Sequence, residues 1–270
     1  MRDDDYPLAS NLDEIRRLRV QAESLSDEAA ILLDRIGVKT GMACLDLGCG
    51  AGGIVDLLSA RVDPSGSVVG LDVEEYSLAA ARAWTDDLGL DNVAFETGDI
   101  FTNDLPAESF DLVHMRYVIT TIGRHEEAIA AACRLVKKGG VLAIQEADAS
   151  GIRCYPENAA FSRLAAALTA VFDTIGADPY AGQHLYRLLG DAGMRDVDFR
   201  CCTARARAHD DLVDYLPQTV QSVREAMLKL GLMESAEIDA DIAACRAHLA
   251  DPNTTSTTSV VFQAWGRKPG

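Results

Sequence analysis

The chain has 270 residues, with 42 Asp+Glu against 25 Lys+Arg, for a formal charge of −17. That balance repels the phosphates of DNA and RNA at long range and argues against a nucleic-acid partner, while 48% hydrophobic residues suffice for a sizeable core and exclude wholesale disorder. No apolar run approaches the roughly 18 residues that span a bilayer, and Met-Arg-Asp-Asp-Asp is no secretory leader, so a cytoplasmic protein with no membrane partner is expected. The seven cysteines (44, 49, 133, 154, 201, 202 and 245) form no Cys-x-x-Cys pair and read as small buried hydrophobes, with neither a disulfide framework nor a zinc site expected.

Along the chain, Asn11 and Glu14 resemble a capping box, and Leu12, Ile15, Leu18, Ala22 and Leu25 follow helical spacing. A second helix is expected from Ser26, with Asp27 and Glu28 in its positive first turn, to just before Gly37. Strand-like runs Ala43–Leu47, Ser67–Asp72, Val93–Thr97, Asp111–Met115 and Val141–Glu146 then alternate with helix-like runs Gly52–Ala60, Ser77–Leu88 and Glu126–Val136, with a weaker connection near 100–108. Such alternation predicts a parallel sheet with helices on both faces. The pattern changes after Glu146: 156–175 and His184–Ala192 read as helices, and Val197, Phe199 and Cys201 alternate as a strand. Residues 209–253 read as two more helices, Thr254–Ser259 as a polar loop and Ser259–Trp265 as a last strand, so the two late strands suggest an antiparallel pair at one sheet edge. No linker divides the chain.

The sharpest local feature is Leu45-Asp46-Leu47-Gly48-Cys49-Gly50-Ala51-Gly52-Gly53, between the first strand and a helix. Glycines there let the backbone turn tightly and approach a ligand. Asp72 ends the next strand at the distance expected of a ribose-binding acid, so a nucleoside-containing cofactor is expected. A carboxylate at Asp46 suits a cationic amino acid and disfavours a diphosphate. Asp99, in Thr97-Gly98-Asp99-Ile100, suits an exocyclic amine on adenine, with Ile100 flanking the ring, and no Tyr-x-x-x-Lys pair of the short-chain dehydrogenases is present.

With these residues the chain resembles the class I S-adenosylmethionine-dependent methyltransferases, of the bacterial small-molecule type. The resemblance runs from about residue 43 to 146 and takes in Phe110-Asp111-Leu112-Val113-His114-Met115-Arg116-Tyr117 and the turn Lys137-Lys138-Gly139-Gly140. It implies a Rossmann-like α/β fold: a mostly parallel seven-stranded sheet with an antiparallel edge strand, helices on both faces and helical lid inserts. It implies S-adenosylmethionine as cofactor and S-adenosylhomocysteine as product. Asp46, Gly48, Cys49 and Gly50 are assigned to the methionine moiety, Asp72 to the ribose, Val73, Asp99 and Ile100 to the adenine, and Met115 and Arg116 to the cofactor near its methyl group.

The substrate pocket is expected at the carboxyl ends of the strands, bringing Tyr117, Glu146, Asp148 and His184 toward a small, partly apolar substrate. An Asn/Asp-Pro-Pro-Tyr run is lacking after the fourth strand, Asp148 alone is no magnesium site, and no metal is expected. His114, His125 and Glu146 are candidates for a base, each with an equally plain packing or capping role. The chain is expected to be a single domain over 1–270, with a cap over 1–40, a cofactor-binding core over 41–150 and substrate-covering inserts at 153–182 and 209–253. The alternative is that the cap and inserts pad the sheet or form a homodimer contact. Other activities left open are cyclisation or rearrangement with the cofactor in a structural role, a non-catalytic binding module and, less favoured, a nicotinamide-dependent oxidoreductase.

Overall fold

A computed structural model describes residues 12–270. Helices α1 (Leu12–Ser24) and α2 (Ser26–Ile36) precede the sheet; Asn11 of the expected capping box lies outside the described residues. Helix α2 places Asp27 and Glu28 in its first turn, buries Ala29, Leu32, Leu33 and Ile36, and ends on Gly37 in the left-handed conformation that lets its N–H close on Leu33 and Asp34. Strands and helices then alternate: β1 (Ala43–Leu47), α3 (Val55–Val62), β2 (Ser67–Asp72), α4 (Glu75–Leu88), β3 (Val93–Thr97), β4 (Phe110–Arg116), α5 (Ile119–Ile122), α6 (His125–Leu135) and β5 (Val136–Asp148). The connection at 98–109 holds no helix.

A 3₁₀ turn at Ala149–Gly151 leads to β6 (Arg153–Tyr155), α7 (Ala159–Thr174), a second 3₁₀ turn at Ala181–His184, α8 (Leu185–Asp191) and β7 (Arg195–Arg207). A third 3₁₀ turn at Asp211–Asp214, then α9 (Tyr215–Ser222), α10 (Arg224–Lys229), α11 (Ser235–Leu249) and β8 (Thr255–Arg267), complete the chain. Three α-helices thus occupy the segment expected to hold two. Of the residues expected as a polar loop, Thr254–Ser259, all but Thr254 instead begin β8, because β7 and β6 pair with Thr255, Ser256 and Thr257 on opposite edges.

The sheet has eight strands where seven were expected. Strands β3, β2, β1, β4 and β5 are parallel, and β8 runs antiparallel to β5. Both β5 and β7 pair with the 260–267 part of β8, so they flank it; β6 pairs with 255–257 on the edge β5 has left, as a continuation of β5 past its 3₁₀ break. Strand alternation divides the core. One face sets Leu45, Leu47, Val113, Met115, Leu142 and Ile144 against α6 and α8. The other sets Cys44, Leu112, Val141, Ala143 and Trp265 against α2 and α3. A third cluster, built on Phe161, Leu164, Val171, Val220, Met227 and Ile242, joins α7 to α9, α10 and α11 and gives the inserts a core of their own. All seven cysteines are free thiols; Cys201 is exposed, contrary to the expectation of burial. Among the described residues no helix is long and apolar enough to cross a membrane.

Candidate active site

The end of β1 turns through four glycines with positive φ: Gly48 (78°), Gly50 (52°), Gly52 (124°) and Gly53 (51°). Three are hemmed in by neighbours. A Cβ on Gly48 would overlap Val118, one on Gly52 would meet Trp84 at 2.6 Å, and one on Gly53 would overlap Asp46 Oδ2. A Cβ on Gly50 would meet nothing within 4 Å, so this glycine alone faces open space. The turn is braced by two carboxylates. Asp46, 1% exposed, accepts from Ile54 N–H (3.1 Å) and faces His114 Nδ1 (2.7 Å). Asp72 accepts from Gly50 N–H (2.7 Å) and Glu74 N–H (3.0 Å). Burial raises the Asp72 pKa against those donors; its oxygens retain lone pairs for further donors.

At the end of β4, Arg116 Nη2 donates to Gly53 O (3.0 Å), while Nη1 is buried with no partner among the described residues. Burial lowers its pKa, yet a guanidinium keeps its charge, so one arm of a fixed cation is left to meet an anion. Tyr117 follows with φ of 58°, an outlier for an aromatic residue, and its N–H is tied to Gln145 O (2.9 Å). Burial, with Tyr215 nearby, pushes the Tyr117 phenol far up, so it remains a neutral donor and acceptor.

These groups open into one cavity of about 620 Å³, a size usual for small-molecule sites. Asp46, Gly48, Cys49, Gly50, Asp72, Arg116 and Tyr117 line its sheet end. Leu18, Gln21 and Ala22 of α1 form one wall; Arg19 anchors that helix, donating to Ala80 O (3.1 Å) with its guanidinium 5.6 Å from the Trp84 ring centre. The far wall is mostly apolar: Ile152, Leu168, Phe172 and Pro179, with Thr169, Tyr215 and Thr219. Leu168 and Phe172 of α7 belong at once to this wall and to the insert core, and nothing in the linear pattern says which turn of each helix meets the cavity.

Other expected site residues lie outside the lining. Val73, Asp99 and Ile100 stand at the ends of β2 and β3 beside Asp72: Val73 is exposed, Asp99 accepts from Phe101 N–H (2.7 Å), and Ile100 packs against the core. Met115 is wholly buried in that core. Glu146 is buried, and its carboxylate accepts from Ile119 N–H (2.7 Å), Thr120 N–H (3.2 Å) and Thr120 Oγ1 (2.5 Å), so it holds the start of α5. Burial lifts its pKa to about 7. Asp148 accepts from Ser150 N–H and Gln183 Nε2, each at 2.8 Å. His125 and His184 flank Asp178 at 3.6 and 3.5 Å. None of His114, His125 and Glu146 reaches the cavity, because strand alternation and the α5 turn aim them into packing.

A family model described as "Methyltransferase domain" matches residues 38–193, more than half of the chain. The chain belongs to the class I S-adenosylmethionine-dependent methyltransferase family. Within that family's reach, an uncharacterized 37.1 kDa protein of transposon TN4556 from Streptomyces fradiae is 33% identical over 169 residues, 61% of this chain and 47% of that protein. Nocamycin O-methyltransferase of Saccharothrix syringae is 39% identical over 82 residues, 30% of this chain and 29% of that one. The chain thus spans less than half the length of these curated relatives. Among solved structures, a Haemonchus contortus phosphoethanolamine N-methyltransferase aligns with a TM-score of 0.55 at 18% identity, covering 90% of this chain and 53% of that one; this likeness shows the fold alone.

Proposed function

We propose that this methyltransferase-family chain binds S-adenosylmethionine at the glycine turn and directs its methyl group to a small, partly apolar molecule held between α1 and the inserts. The observation that carries this reading is the continuity of the cavity: one space joins Gly50, Asp72 and Arg116 to the wall of Leu168, Phe172 and Tyr215. The residues suit the cofactor. The open face at Gly50 admits a ligand against the backbone, Asp72 has acceptor capacity for ribose hydroxyls, and the free Arg116 arm matches the carboxylate of an amino-acid tail. Val73, Asp99 and Ile100, at neighbouring strand ends, suit the adenine.

Held by Gly50, Asp72 and Arg116, the cofactor would supply an electrophilic methyl carbon on a sulfonium. The chain's part is alignment and exclusion of water. His114, His125 and Glu146 stand outside the lining, so none of them is placed to take a proton from the acceptor; Tyr117, a neutral phenol at the cavity wall, orients an acceptor oxygen. Helix α1, α7 and α9 close over the strand ends. Incubation with methyl-labelled cofactor and a panel of small hydroxylated or carboxylated apolar compounds should release S-adenosylhomocysteine with at least one of them. Hydrogen exchange should show added protection in α1, α7 and α9 with cofactor and acceptor together; protection confined to 46–53, 72 and 99 would contradict the closure.

A further inference from the structure

On the sheet face that packs against α2 and α3, side chains change from apolar to polar toward the carboxyl ends of the parallel strands, and the antiparallel β8 brings its own polar residue to the same level. Asp46 lies across from His114, Gln145 across from Gln263, and Gln263 across from Arg200. Asp46, His114, Gln145 and Gln263 are each at most 1% exposed, and no step of the proposed reaction uses the last two. Their side chains form one unbroken row. Arg200 Nη1 donates to Gln263 Oε1 (2.7 Å), Gln263 Nε2 donates to Gln145 Oε1 (2.7 Å), Gln145 Nε2 faces His114 Nε2 (2.8 Å), and His114 Nδ1 faces Asp46 Oδ1 (2.7 Å). Beyond the row, Glu28 on α2 pairs with Arg200 Nη2 (2.5 Å), and its backbone oxygen takes the second Gln263 N–H (3.2 Å).

The direction of this row follows from its far end. A guanidinium only donates, so Gln263 must turn its oxygen to Arg200 and its amide N–H to Gln145. Gln145 must then present its own N–H to His114, whose Nε2 has to accept. The remaining ring nitrogen, Nδ1, carries the proton and donates to Asp46. A protonated imidazole would set an N–H against an N–H and require both glutamines to flip, leaving buried groups unpaired at a cost that a satisfied network avoids. We infer that Arg200 is a positioning residue: through the two glutamines it fixes His114 as the neutral Nδ1–H tautomer and Asp46 as an ionised acceptor under the glycine turn. Asp46 also acts on the Arg116 guanidinium from β4, and burial beside Asp46 and Asp72 keeps the Cys49 thiol of the turn protonated; the ring itself is faced by Asp46 and Gln145. The consequence for cofactor affinity rests on the proposed function, whereas the state of His114 does not.

The test uses the full chain labelled with ¹⁵N-histidine, whose five histidines keep the spectrum readable, with His114→Asn to assign the signal. Wild type should show the signature of a single Nδ1–H tautomer. Gln263→Glu keeps the acceptor for Arg200 but makes Gln145 turn its amide away from His114 and present its oxygen, so Nε2 should take a proton and the Nδ1–H signature should be lost. Affinity for S-adenosylhomocysteine should then fall about tenfold, the worth of one charge-assisted hydrogen bond. Arg200→Met, which adds no buried charge, should give mixed tautomers, and Arg200→Lys should restore the wild-type signal. An unchanged Nδ1–H signal in both Gln263→Glu and Arg200→Met would overturn the assignment. Expected spectra in a wild-type protein that binds no S-adenosylhomocysteine would uphold the row and remove the cofactor reading instead.

Discussion

The two ends of the cavity are built by different means. At the sheet end, four left-handed glycines and the carboxylates of Asp46 and Asp72 are locked by backbone hydrogen bonds and close overlap. At the insert end, Leu168, Phe172 and Tyr215 project from helices that share a separate apolar core. The first arrangement tolerates almost no change of residue, since backbone conformation and the ligand contact are the same feature. The second can vary its polar lining at Thr169, Tyr215 and Thr219, whereas Leu168 and Phe172 are shared with the insert core. Cofactor chemistry and acceptor choice are therefore separable by substitution.

The sharpest break in that comparison lies within the turn itself. Gly53→Ala drives a Cβ into the buried Asp46 carboxylate at a φ of 51° and should destabilise the fold by on the order of 3 kcal/mol and abolish cofactor binding. Gly50→Ala, at a φ of 52° with no atom within 4 Å, should cost only about 1–2 kcal/mol of backbone strain while still blocking the ligand. Thermal melts beside titration calorimetry separate the two; equal melting temperatures would show that the carboxylate does not brace the turn. Next in size, Arg116→Met should weaken cofactor binding about tenfold or more, as loss of a charged hydrogen bond does, with a smaller loss for Arg116→Lys. Undiminished affinity in Arg116→Met would free that side chain from the amino-acid tail.

Substitution of residues that face the acceptor, Tyr117 at the sheet end and Phe172 at the insert end, should leave the cofactor untouched. Tyr117→Phe removes a neutral hydrogen bond worth about 1 kcal/mol and should lower kcat/KM for the acceptor roughly fivefold, with the cofactor Kd unchanged. Phe172→Ala should raise the acceptor KM in the same selective way. A parallel loss of cofactor affinity in either variant would merge the two ends into one site.

How much of this could be read from the chain follows the same division. The turn, Asp72 and the parallel strands are local in sequence, so spacing alone placed them. The row from Asp46 to Arg200 is not: Gln145, Gln263 and Arg200 meet only because β8 lies between β5 and β7. The faint signal was a glutamine bordering or interrupting an apolar run in each strand, Gln145 after Val141–Ile144 and Gln263 between Phe262 and Ala264. Glu146 and Asp148 carried the right chemistry for a substrate site, but the α5 turn and the 3₁₀ break after β5 take their oxygens.

Glu146, outside the cavity lining, gives an effect on stability alone. Its folded carboxyl stands at about 7 against an ordinary 4.5, because burial outweighs its donors. It therefore binds its proton more tightly folded than unfolded, and its contribution to stability, complete below pH 4.5, is lost as pH rises through 7. Glu146→Gln has no such loss, so the Tm of wild type relative to the variant should drop by on the order of 5–10 °C across that interval. A constant difference would show that the carboxyl does not titrate there.

The claim on which the rest stands is that the glycine end takes an adenosyl amino acid, and titration calorimetry of the full chain tests it directly. S-adenosylmethionine and S-adenosylhomocysteine should each bind at one site per chain, Asp72→Ala should bind about tenfold more weakly or worse while remaining folded, and NAD should give no heat. Binding of NAD with no heat from either adenosyl ligand would contradict the account.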